Sequence, residues 1–180
     1  MTSISRKDVY IFLVSVVLIL LILVGFIGWD GLYSCYSDIF ACTKQAGFAD
    51  LIRLYGDKLR SDFFSGFLAV GAFLLSLKTF IVMTMKTTVY DTAEYGKRWE
   101  EAKVVDPLVG SRYEGLRRLN DCLFNSILAS LIAAISQITI GLIENLVAVS
   151  ISIFFCCVSF FYLAYCLYLV KVNLDEIIPS

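Results

Sequence analysis

Four long apolar runs separated by charged connectors constrain this chain more than any other feature. They are Val9–Gly28, Phe63–Met85, Cys122–Ile143 and Leu146–Val170, and Lys78 is the only charged residue inside them. A helix needs roughly 20 residues to cross a hydrocarbon layer about 30 Å thick, and each run meets that length. Within such a layer a backbone satisfies its N–H and C=O groups only as a helix or a closed barrel, and unbroken apolar runs select the helix. The expectation is an all-α integral membrane protein: a single four-helix transmembrane domain over residues 1–180. A mean hydropathy of +0.80 and a charged fraction of 17% lie far from the balance of a soluble domain. The first run reads as a retained span, because Phe26-Ile27-Gly28-Trp29 offers no small-x-small cleavage site.

Charge sets the expected orientation. Arg6, Lys7, Lys171 and seven Lys or Arg residues in the connector 86–120 lie on the side shared by both termini, against four in the connector 29–62. The excess marks the cytoplasmic side of the membrane, so both termini and 86–120 are expected on that side. Cys35 and Cys42 are the only connector cysteines, and they fall in the segment assigned outside. An oxidising compartment favours a disulfide between them, the alternative being two free thiols. Cys122, Cys156, Cys157 and Cys166 lie within spans and read as buried thiols.

The outer cap 29–62 divides in two. Residues 29–43 suggest a turn-rich, aromatic headgroup layer, and 44–62 a separate amphipathic helix lying on the membrane or capping the bundle. The connector 86–120 predicts a helical cytoplasmic hairpin extending spans two and three. The second span should run on to Lys103, Asp106-Pro107 should end that helix, and a new helix should start near Arg112. Lys97, Arg98, Arg112, Arg117 and Arg118 are the candidate residues for docking a cytosolic protein; a plain solvated stalk is the alternative. Six acidic residues offset the seven basic ones in this connector, so direct binding of nucleic acid is not expected.

Span three carries the clearest pattern. Asn125, Ala129, Ala133, Gln137 and Gly141 recur every four residues, beside a second line of Ser126, Ser130 and Ala134. Small residues allow close helix approach, and buried amides seek partners across it. Three readings stand for Asn125, Ser126, Ala129, Ser130, Ala133 and Gln137: packing within the chain, an oligomer interface, or a pore lining. Lys78 reads either as a snorkelling lysine in contact with lipid headgroups or as an internal functional charge. The chain has no His, no phosphate loop and no nucleophile elbow, which points away from an enzyme and from a metal or cofactor site.

Two resemblances add to this reading. Trp29-Asp30-Gly31-Leu32-Tyr33 followed by Cys35 and Cys42 resembles the first-loop signature of claudins, with Tyr33 in place of the final Trp. It covers residues 29–42 and implies a structural or adhesive protein. The loop is shorter than in claudins, however, the inner connector much longer and the second outer loop nearly absent. The plan of the whole chain resembles the small four-span membrane subunits of bacterial anti-phage systems, notably that of Kiwa. That resemblance implies a non-catalytic homo-oligomer that senses or anchors at membrane lipid and docks a cytosolic effector; it carries no residue roles. An oligomeric pore lined by span three is the alternative from a different class.

The orientation is directly testable. A cysteine introduced at Thr92 in a variant without other reactive thiols should resist a membrane-impermeant thiol reagent in intact cells and react after permeabilisation. Labelling in intact cells would invert the topology.

Overall fold

The computed structural model describes residues 6–37, 46–106 and 110–177, and all the secondary structure among them is helical. Among the described residues there are six α-helices: α1 (Arg6–Ser37), α2 (Ala46–Leu54), α3 (Arg60–Met85), α4 (Ala93–Val105), α5 (Glu114–Ile138) and α6 (Leu146–Ile177). Single π-helical turns, Tyr55–Leu59 and Lys86–Tyr90, flank α3, and a 3-10 turn, Ile140–Leu142, follows α5. Four stretches are long and apolar enough to cross a membrane: Arg6–Phe26, Gly47–Tyr90, Glu114–Leu142 and Leu146–Val172.

Helix α5 is the centre of the bundle. It packs against α3 and α6, and α6 in turn carries α1. Its sequence explains this position, because leucines and small residues occupy most of its circumference. Leu116, Leu119, Leu123 and Ile127 join Leu74, Met85 and Cys166 in one apolar core at the end of the bundle nearest the connector. Leu51 and Tyr55 pack with Val149, Ile153 and Cys157 in a second core at the opposite end.

Buried polar side chains are interleaved with both cores. Ser126 Oγ shares its proton between Cys122 O at 2.9 Å and Tyr162 O at 3.1 Å, and Ser130 Oγ meets Ser159 Oγ at 3.1 Å. Gln137 is fully buried. Its Oε1 accepts from the Tyr55 hydroxyl at 2.6 Å, and its Nε2 donates to Ala133 O at 3.0 Å and Ser136 Oγ at 3.1 Å. A Cβ on Gly141 would overlap the Tyr55 hydroxyl, so glycine there leaves the phenol room to reach the amide.

Three connector expectations are corrected. Residues 29–37 are not turn-rich: α1 breaks at Gly28, whose φ of 73° and ψ of 168° suit only glycine, and helix then resumes as far as Ser37, while residues 38–43 of that cap lie outside the described residues. Residues 46–62 do not form a separate surface helix. They run through the π turn at Tyr55–Leu59 into α3, because Leu51 and Tyr55 bury themselves against α6 rather than facing lipid or water. Nor does the second span continue to Lys103. It stops at Tyr90, and Thr92, in an extended conformation, caps a new helix by accepting the Tyr95 N–H. The expected stop before Pro107 holds: α4 ends at Val105, and Asp106 is extended. Cys42, and with it the Cys35–Cys42 pairing, lies outside the described residues.

The Tyr55–Gly141 contact yields a double-mutant cycle. Gly141→Ala should destabilise the detergent-solubilised protein by about 1–3 kcal/mol through overpacking. Tyr55→Phe should cost roughly 0.6–1.7 kcal/mol, the range for hydrogen bonds between membrane helices. Combined, they should cost clearly less than the sum, since removing the hydroxyl removes the overlap. Additive losses in denaturant unfolding would separate the two sites.

Candidate functional site

Between the candidate spans that end at Tyr90 and begin at Glu114, the connector packs on itself. Its core is aromatic. Tyr90 is buried and packs edge-on to Tyr95, with ring centroids 5.0 Å apart, and lies 6.1 Å from the Tyr113 ring. Three long-range hydrogen bonds then tie the chain back on itself. Arg112 donates to Thr92 O at 2.9 Å, the Tyr113 hydroxyl donates to Asp91 Oδ1 at 2.9 Å, and Trp99 Nε1–H donates to Gly110 O at 3.1 Å. The bond to Asp91 stabilises the protonated phenol and raises the Tyr113 pKa above its ordinary value.

The candidate docking residues separate into two groups. Lys97, Arg98, Arg117 and Arg118 are exposed. Arg98 pairs with Glu94 at 2.9 Å and Arg118 pairs with Glu114, both one helical turn away. Exposed pairs of this kind contribute little to stability and leave the charge available. Arg112 is different: it is half-buried, its guanidinium packs over Gly96, and its hydrogen bond serves the connector's own fold. Sequence reasoning missed the apolar part of this surface. Val104 and Val105 are 85% and 86% exposed at the end of α4, and Trp99 lies beneath Lys103 with 4.9 Å between ammonium and ring. The available signal was four aromatic residues (Tyr90, Tyr95, Trp99 and Tyr113) and a valine pair in an otherwise charged segment.

Span three distributes its marked residues unevenly. Ser126, Ser130, Ala133 and Gln137 are buried among helices of the same chain. Asn125 and Ala129 are half-buried and line a groove on the outside of the bundle. Lys78 on α3 is half-buried, with its ammonium 4.9 Å from the centre of the Phe124 ring on α5. A cation–π contact of this kind contributes on the order of 0.5–2 kcal/mol and gives the lysine a partner within the protein.

No protein family, curated protein or solved structure matches this chain.

If Arg112 holds the connector closed, Arg112→Ala should release it. Losing a charge-assisted hydrogen bond costs about 1.5–3 kcal/mol, so amide hydrogen exchange in α4 should accelerate at least about tenfold. Lys97→Ala should leave exchange unchanged. Equal protection in Arg112→Ala would mean that the aromatic cluster alone orders the connector.

Proposed function

We propose that this chain is a non-catalytic, self-associating membrane subunit that docks a cytosolic effector through residues 86–120. The observation that carries this reading is the connector itself. Its described residues fold on themselves through hydrogen bonds that use backbone carbonyls, Asp91 and Arg112, while six basic residues (Lys86, Lys97, Arg98, Lys103, Arg117 and Arg118) and two valines stay exposed. A pre-ordered surface lowers the entropic cost of association. An apolar pair ringed by charge of both signs matches the usual anatomy of a protein interface, with its apolar centre and polar rim. Mixed charge also favours an oriented protein contact over adhesion to anionic lipid.

The excess of Lys and Arg at this end of the bundle supports a cytoplasmic location for the connector and both termini. The architectural resemblance to anti-phage membrane subunits supports the same division of labour, a membrane anchor or sensor coupled to a soluble effector. Ser126, Ser130, Ala133 and Gln137 on span three are used inside the protomer, so self-association is assigned to faces of the bundle other than that stripe. A pore lined by span three has no comparable observation in its favour.

The test is a photo-crosslinking residue in place of Lys97, with the partner identified by mass. Val104→Asp with Val105→Asp, and separately Lys97→Glu with Arg117→Glu, should lower partner capture by more than about thirtyfold, the equivalent of a 2 kcal/mol hot spot. Membrane levels and oligomer mass should stay at wild-type values. Full capture and full cellular function in both variants would defeat the docking reading. Arg112 is left intact because its loss would unfold the surface under test.

A further inference from the structure

A groove of about 910 Å³ runs along the outside of the bundle between α1 and α5, with α6 as its floor. It exists because α1 packs on α6 rather than closing against α5. Its two ends differ in chemistry. At the connector end stand Lys7, Asp8, Asp121, Asn125 and Tyr162. Away from that mouth the walls are apolar: Phe12 and Val16 from α1, Leu128 and Ile132 from α5, Phe155 and Val158 from α6. Ala129 keeps the channel open on the α5 side.

The mouth is organised. Tyr162 donates its hydroxyl to Asp8 Oδ1 at 2.9 Å, and the Lys7 ammonium lies 5.5 Å from the centre of the Tyr165 ring. One ammonium and two carboxylates gather there beside an amide. From Asp121 to Ile132 the groove follows about 16 Å of helix, close to half of a hydrocarbon layer of about 30 Å. It is therefore one leaflet deep, charged at the headgroup level and apolar beyond.

We propose that this groove binds one zwitterionic phospholipid with a primary ammonium, of the phosphatidylethanolamine class, from the leaflet facing the connector. The charge pattern selects this occupant. Asp8 and Asp121 can accept hydrogen bonds from a headgroup ammonium, which has three N–H donors, and Lys7 meets the phosphate. An anionic phospholipid adds a net negative charge beside the two carboxylates, with Lys7 the one cation among the described residues lining the groove to offset it. One acyl chain lies between Phe12 and Leu128 along the apolar walls. The site uses none of the connector's exposed residues, so it stands apart from partner docking and the two can fail separately.

The experiment reconstitutes the full chain in nanodiscs with equal amounts of phosphatidylethanolamine and phosphatidylglycerol, re-extracts it in mild detergent and counts retained lipids by native mass spectrometry. The expected result is one phosphatidylethanolamine per protomer, enriched about tenfold over phosphatidylglycerol. Asp121→Asn should reduce that preference about fivefold, as loss of one partly exposed charge contact implies. Ala129→Phe should fill the channel and lower retention about tenfold. Val16→Trp fills it from the opposite wall and provides the same readout if Ala129→Phe folds poorly. Equal retention of the two lipids, or retention that survives both channel-filling variants, overturns the proposal. So does a cross-linked dimer through a cysteine at Leu128 with no bound lipid, which would assign the groove to a second copy of the chain.

Discussion

A primary amide buried in an apolar helix bundle has to find its partners inside the protein, and the helix contacts at the end away from the connector are arranged around that requirement at Gln137. Its amide touches three parts of the chain: its own helix through Ala133 and Ser136, α6 through Ser152 O at 3.4 Å and Cys156 Sγ at 3.2 Å, and the start of the second span through Tyr55. Tyr55 opens a π turn, where the extra residue shifts the register of the helix and re-aims the side chains that follow. Hydrogen bonds between membrane helices average only about 0.6 kcal/mol. The network's main effect is therefore on position: it sets the heights at which α3, α5 and α6 meet.

The serines extend the same logic toward the connector. Ser126 and Ser130 each donate to a carbonyl four residues back, at 2.9 Å in both cases, so neither hydroxyl depends on a neighbouring helix for satisfaction. What they offer their neighbours is small size. Gly71 on α3 sits against Ser130 and Leu131, and Ser159 on α6 meets Ser130 from the other side. Close approach on two faces of one helix lets α5 take the centre of the bundle. It also leaves α1 to pack on α6, and the lateral groove is the space that this arrangement does not fill.

The connector holds its shape by different means. With few aliphatic residues available, it uses three tyrosines, a tryptophan and an arginine aimed at a backbone carbonyl. Because these contacts are inward, most of its charge stays on the surface. The described residues of a segment with few aliphatic side chains thus take a defined fold, and that property ties the fold to the docking reading.

Much of the architecture was legible from residue order alone. Apolar run length determines the four spans because a bilayer admits little other than helix, and the residue before Pro107 ended α4 by a local steric rule that needs no tertiary context. The small and amide residues of span three were visible as a stripe. Their assignment was not, because a stripe with a four-residue period drifts around a helix with 3.6 residues per turn: Asn125 and Ala129 reach the outer groove while Gln137 and Gly141 turn inward. The helix beyond Gly28, the fusion of 46–62 with the second span and the break at Asp91–Thr92 likewise required the fold. The fusion depends on what Leu51 and Tyr55 meet across the bundle. Helical periodicity fixes which residues share a face of one helix, whereas the packing of neighbouring helices decides whether that face meets protein, lipid or water.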